Sequence, residues 1–310
     1  VRLVTLAPAK VNLVLRVGPL RPDGYHEIET LMVPLDLADR IEVRVLPRPG
    51  PVSCLVPGRP ELDGPENLAA RAAEAFRRRF GARAGVAIRI EKRVPVTAGL
   101  GGGSSDAAAV LRCLALAHGV PDRAPLREVA LQVGSDVPFF LLGGPAWARG
   151  RGEVLTPAIV PPLHLVLVHP RDPGLAIRAG DAYRWLDATR QGRPRAWPPR
   201  RSRFSLTQVG NDLEPPCVER HPVLTALLGR LLWSGASVAI MSGSGPTVFG
   251  TFTGRAEASR AARAIRSKEE DATTLDVLVA RARGVQPRVA SWRSPRSASS
   301  RSTRRSSRRT

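Results

Sequence analysis

The segment Pro95-Val96-Thr97-Ala98-Gly99-Leu100-Gly101-Gly102-Gly103-Ser104-Ser105-Asp106 constrains the fold more than any other part of the chain. Before it, Val86–Glu91 alternates apolar and polar residues, the pattern of a half-buried strand. After it, Ala107–Leu116 is rich in alanine and leucine, strong helix formers. The four glycines therefore occupy a turn that opens a helix. Lacking Cβ atoms, they let the backbone take positive φ and approach a ligand closely. Successive N–H groups can line one concavity at the positive end of the helix dipole, which suits a polyphosphate. Ser104 and Ser105 can cap the helix or offer hydroxyls to phosphate or a metal. A glycine turn without function has the same local pattern, so the rest of the chain has to decide.

Two phosphate motifs are excluded. No Gly-x-x-x-x-Gly-Lys-Ser/Thr occurs anywhere in the chain. The dinucleotide fingerprint also fails, because Ser104 stands three residues after Gly101 and no ribose-binding acid follows at the usual distance.

A chain of 310 residues is long enough for two domains. No apolar run approaches the roughly 18–20 residues of a membrane span, and Pro8 and Lys10 interrupt the start too early for a signal segment. Neither membrane insertion nor secretion is expected. Three cysteines, Cys54, Cys113 and Cys217, are far apart and odd in number, which argues against a disulfide framework or zinc and for a reducing cytoplasm. The net charge of +20 raises nucleic acid as a partner. Much of the excess lies in two places: a proline-laced cluster from Arg190 to Arg203, and residues 284–310, which hold eight arginines and no acid. Both read as solvated segments outside the core, the second as a disordered tail, so no specific nucleic acid is expected. Nothing in the sequence sets an oligomeric state.

Strands are expected at 2–6, 10–18, 40–46 and 86–91, with helices at 66–80 and 125–133. The pattern restarts near residue 157. Strands are expected at 163–168, 236–241, 246–252 and 275–281, and helices at 176–187, 222–233 and 255–267. This order, with a hairpin-like turn over Ser242–Pro246, predicts an antiparallel α+β layer and not a doubly wound sheet.

Four further segments carry chemistry. In Pro8-Ala9-Lys10-Val11-Asn12-Leu13, Lys10 and Asn12 share one side of a strand. They either hold phosphate or an acid, or decorate an exposed edge. In Arg21-Pro22-Asp23-Gly24-Tyr25-His26, a tight turn presents an aromatic ring and an imidazole, which suits a stacked base or a plain surface turn. In Gly134-Ser135-Asp136-Val137-Pro138-Phe139, Asp136 is either a base for a hydroxyl proton or a helix cap. Gly243-Ser244-Gly245-Pro246 offers N–H groups or simply turns a hairpin.

The joint order of these motifs with the glycine loop resembles the GHMP kinase superfamily over about residues 3–283. The resemblance implies an N-terminal domain like the second domain of ribosomal protein S5 over 1–156, and a ferredoxin-like domain over 157–283. It implies ATP and Mg²⁺ as cofactors, with no assigned metal ligands. Pro95–Ser105 (Pro95, Val96, Thr97, Ala98, Gly99, Leu100, Gly101, Gly102, Gly103, Ser104, Ser105) matches the family's ATP loop, and Asn67 and Leu68 its adenine-side contact. Asp136 matches the base and Lys10 its charged partner. The Asp-Gly-Tyr-His turn is similar to that of the branch acting on a cytidine diphosphate alcohol in isoprenoid precursor synthesis, which implies that Asn12, Tyr25 and His26 bind this substrate. In such a site Tyr25 can stack on the cytosine and His26 can read its edge. Ala179 departs from the pattern, standing where related enzymes carry a small hydroxyl residue.

Overall fold

The computed structural model describes residues 1–120, 123–190, 204–267, 274–283 and 290–292. In chain order, the first half contains β1 (Arg2–Leu20), β2 (His26–Pro49), β3 (Val52–Leu55), α1 (Leu68–Phe80), β4 (Ala84–Glu91), α2 (Gly102–Ala117), α3 (Arg123–Val133), α4 (Val137–Leu142), β5 (Ala146–Gly150) and β6 (Val154–Pro157). The second half contains β7 (His164–Pro170), α5 (Ala179–Arg190), β8 (Gly210–Asn211), α6 (Glu214–Arg220), α7 (Pro222–Trp233), β9 (Val238–Met241), β10 (Val248–Phe252), α8 (Arg255–Arg266), β11 (Leu275–Arg281) and β12 (Ala290–Trp292).

Two sheets result. The larger runs β12-β1-β2-β4-β3, with β5 and β6 continuing from β2 and β8 beside β1. The smaller runs β11-β7-β10-β9, antiparallel throughout. Its βαββαβ order, with the first and third strands central, is the ferredoxin-like arrangement.

The layers follow from side-chain alternation. On β7, Leu165 and Leu167 face the larger sheet, where they meet Val11, Leu13, Leu31 and Val33. Val166 and Val168 point the other way, under α5, α7 and α8. On the far face of the larger sheet α1–α4 close a core around the fully buried Phe76, Phe139 and Phe140. Each such ring contributes about 2–3 kcal/mol by burial.

The expected strands 2–6 and 10–18 are one strand. Pro8 does not end it, because a register shift between Pro8 and Lys10 absorbs the missing N–H. The start of β2 was not expected, since Leu31–Leu35 is apolar throughout and lacks alternation; both faces of this stretch are buried. The expected tail meets one exception. Ala290–Trp292 pairs antiparallel with Arg2–Val4, an edge whose backbone groups on that side were otherwise open. The rest of 284–310, and the basic cluster after Arg190, lie outside the described residues.

Candidate active site

Lys10 is no edge decoration. It is 5% exposed, on a strand flanked by β2 and β8. Its Nζ donates to Asn12 Oδ1 at 2.6 Å and lies 3.6 Å from Asp136 Oδ2. Asn12 Nδ2 in turn donates to Thr30 Oγ1 at 2.7 Å, and Thr30 Oγ1 to the Val14 carbonyl at 2.7 Å. This buried chain fixes the amide so that its oxygen faces the ammonium. Asp136 precedes α4 with φ −85° and ψ −13°, and its side chain makes no cap hydrogen bond. A capping residue needs extended backbone to fold its oxygen back onto the helix, which Asp136 lacks. One-third exposed, its carboxylate faces Lys10 and open space.

The glycine loop lies against this pair. Gly101, at φ 70°, caps α2, and a Cβ there would come within 3.0 Å of both Lys10 Cγ and Phe140. The helix begins at Gly102, so its first free N–H groups belong to the loop itself. Thr97 takes φ 53°, a left-handed conformation costly for a β-branched residue. A cleft of about 410 Å³ runs along Pro95–Ser104, with Asn67, Leu68, Lys92 and Asp106 in its walls.

Two residues sit differently from the sequence expectation. Ser105 is fully buried and its hydroxyl has no partner among the described residues; one helical step turns it from the cleft, which Ser104 lines, toward the core. Asn67 lines the cleft, but its amide is engaged in capping α1, accepting from the Ala69 N–H and donating to the Leu62 carbonyl.

The Tyr25–His26 turn lies against α5. Tyr25 is 56% exposed, with the Arg151 guanidinium over its ring at 4.8 Å. His26 stacks on Tyr183 at 5.3 Å, and its nitrogens face the Gly18 carbonyl at 3.2 Å and Asp187 Oδ2 at 3.1 Å. Both edges of the imidazole are therefore engaged within the chain. Burial, with the charge of Asp136, pushes the Tyr183 hydroxyl above its ordinary pKa. Sequence reasoning missed Tyr183 and Asp187; four-residue helical spacing was their one signal. Ala179 opens α5 without a hydroxyl to offer.

The turn between β9 and β10 reaches the same centre. Ser242 Oγ donates to the Gly99 carbonyl at 3.2 Å. A Cβ on Gly243 would lie 3.2 Å from Asn12 Oδ1 and 3.4 Å from Lys10 Nζ. Asn211 holds this turn by donating to the Met241 and Gly243 carbonyls. A fixed ammonium, a half-open carboxylate and a helix-opening amide loop thus converge, an arrangement suited to moving a phosphoryl group onto a hydroxyl.

Comparison with known proteins identifies the family. The model of the GHMP kinases N terminal domain matches residues 67–144, and that of the GHMP kinases C terminal matches 187–271. The 4-diphosphocytidyl-2-C-methyl-D-erythritol kinase of Anaeromyxobacter dehalogenans (strain 2CP-C) is 69% identical over 99% of both chains. The kinase of that name from Geobacter metallireducens is 43% identical over 85% of this chain and 94% of its own. A crystal structure of 4-(cytidine 5'-diphospho)-2C-methyl-D-erythritol kinase superposes with a TM-score of 0.71 and 37% identity, covering 91% of this chain and 99% of that one. Homoserine kinase from Cytophaga hutchinsonii, at 19% identity and TM-score 0.69, shares the fold. The chain is a small-molecule kinase of the GHMP superfamily and belongs to the family of 4-diphosphocytidyl-2-C-methyl-D-erythritol kinases.

Proposed function

We propose that the protein transfers the γ-phosphoryl group of ATP to the 2-hydroxyl of 4-diphosphocytidyl-2-C-methyl-D-erythritol. The observation that carries the chemistry is the Lys10–Asp136 contact of 3.6 Å beside the loop that opens α2. Phosphoryl transfer needs placement and charge neutralisation more than covalent chemistry. The amides at the start of α2 receive the β- and γ-phosphates. Asp136 orients the hydroxyl and takes its proton. Lys10, 3.6 Å from that carboxylate, faces the charge that develops on the transferred group. Asn12, locked by Thr30, holds Lys10 in place and borders the substrate.

Magnesium bound with ATP supplies further charge neutralisation and needs only one or two protein oxygens. Ser104, in the cleft wall, would suit that demand. Tyr25 offers an exposed face for cytosine. His26 reads the base edge only by giving up its contact with Gly18 or Asp187.

Residues 1–156 would then carry the catalytic pair and the nucleotide loop, and 157–283 the second wall of the site. Three buried free cysteines suit a reducing cytoplasm. An ADP-release assay with 4-diphosphocytidyl-2-C-methyl-D-erythritol tests the reading. Turnover that needs both ATP and this alcohol is expected. Turnover with another small alcohol but not with this one would overturn it.

A further inference from the structure

Beneath the glycine loop lies a charge cluster that the proposed chemistry leaves unused. Lys92 Nζ donates to Asp39 Oδ2 at 2.6 Å and to Asp106 Oδ2 at 2.9 Å. Asp39 Oδ1 accepts the backbone N–H groups of Arg93 at 2.6 Å and Val94 at 2.9 Å. Arg93 and Val94 lead into Pro95, the entry of the loop, while Asp106 lies just beyond its exit, in the second turn of α2. One ammonium therefore joins the two ends of the loop. The side chains of Asp39, Lys92 and Asp106 are only 0%, 11% and 3% exposed, so water competes little for these bonds. An ion pair on the surface would do little by comparison.

Stability alone does not account for the cluster. Asp106 Oδ1 is buried with no partner among the described residues, which costs free energy, and burial pushes its carboxyl well above the usual range. Burial lowers the Lys92 ammonium, but the charges of Asp106 and Asp39 outweigh this and raise it, so it stays charged. Apolar residues of similar size would often do as well in a core. The cluster also touches the loop, because a Cβ on Gly102 would lie 3.2 Å from Lys92 Nζ. Gly101 faces Lys10 and Gly102 faces Lys92, so the loop separates the cluster from the acceptor side of the site.

We propose that Asp106 is a positioning residue for the kinase reaction: through Lys92 and Asp39 it ties the exit of the glycine loop to its entry, and so sets the backbone that receives the nucleotide phosphates. This rests on the reading of the loop as the ATP site. The strap acts on nucleotide binding and leaves the alcohol site alone.

Two substitutions in the full chain test it, Asp106→Asn and Asp106→Leu, with steady-state kinetics for both substrates, calorimetry with MgADP, and thermal unfolding. Asp106→Asn keeps an oxygen that accepts from Lys92, and its KM for ATP and Kd for MgADP should stay within about twofold of wild type. Asp106→Leu removes the acceptor without stranding a charge. It should raise both constants by about tenfold, less than the roughly hundredfold that a misplacement of about 1 Å can cost, and leave the KM for the alcohol unchanged. Unchanged nucleotide constants in Asp106→Leu overturn the proposal. So does equal impairment of the two variants, or a loss of activity that only tracks the folded fraction. Should Asp106→Leu not fold, Asp106→Ala is judged by the same outcomes. A wild-type protein that binds no MgADP refutes the loop reading itself; a wild type that binds, beside an Asp106→Leu that binds equally well, refutes only the strap.

Discussion

At the scale of single residues, the Lys10–Asp136 pair carries the sharpest expectations. Asp136→Ala should lower kcat by at least about 100-fold with little change in ATP affinity, as expected when a positioned base is lost. Lys10→Ala should cause a similar loss, and it also frees Asn12 Oδ1 from its 2.6 Å bond. A change confined to the KM for ATP would make Lys10 a phosphate ligand and not the partner of Asp136. Glu42 offers a pH signature away from the site. Hydrogen bonds from Arg2, then Arg44, hold its carboxyl down at about 2 against an ordinary 4.5, in spite of burial. A depressed folded pKa means stabilisation that is full above the unfolded value and is lost as pH falls toward the folded one. Glu42→Gln should therefore lower stability by about 1 kcal/mol at pH 7, a modest amount because both arginines are largely exposed. The difference from wild type should shrink between about pH 4.5 and 2 in thermal scans. The candidate site residues were legible through the joint order of their motifs, since each motif alone left a plain structural alternative open. Which way a side chain points was less so. Ser105 and Ser104 are neighbours with the same hydroxyl, and only the helical rotation sends one to the cleft and the other to the core.

Among the elements, the glycine loop is the piece most sensitive to one added atom. Gly99 sits at φ 71°, and a Cβ there would be 2.3 Å from the Ser242 carbonyl oxygen and 3.0 Å from that of Gly245. Gly99→Ala should displace the loop, raise the KM for ATP at least about tenfold and lower the melting temperature, since both the conformation and the space are denied. An unaltered melting temperature and KM would show that the loop rests elsewhere. Helix α8 and strand β11 fall within one residue of the expected bounds, because alternation and helical spacing are strongest where one face alone is buried. Strands β5 and β6 were not foreseen; they are short, and their pairing with β2 depends on a distant partner and not on local pattern. Helix α6 was not foreseen; Pro215 and Pro216 sit in its first turn, where a missing N–H costs nothing.

For the whole molecule, the two sheets were implied by the break near residue 157, but the strands that cross between halves were not. Gly210–Asn211 runs parallel to Val14–Leu15, and Ala290–Trp292 closes the Arg2–Val4 edge. A chain ending at Gly284 loses the second of these. It should keep its kinase rate, because Lys10 and Asn12 stay paired with Pro34 and Met32 of β2. Its affinity for polyanions at low salt should fall with the eight arginines removed. A drop in stability above about 1 kcal/mol would show that the terminal strand matters to the core as well as to the edge.

The contact of Gly99 with the Ser242–Gly245 turn limits how this kinase can breathe. Separating the two sheets like a hinge would pull that turn off the glycine loop and off Lys10, and would wet Leu13, Leu167 and Phe249 together. With nucleotide bound in the cleft as proposed, its admission and the release of ADP are expected with the seam shut, past Glu61, Leu62 and Asp63 of the lining. Spin labels on α1 and α8 should keep one separation with and without MgADP, while a label near Glu61 should report the motion that lets the nucleotide pass.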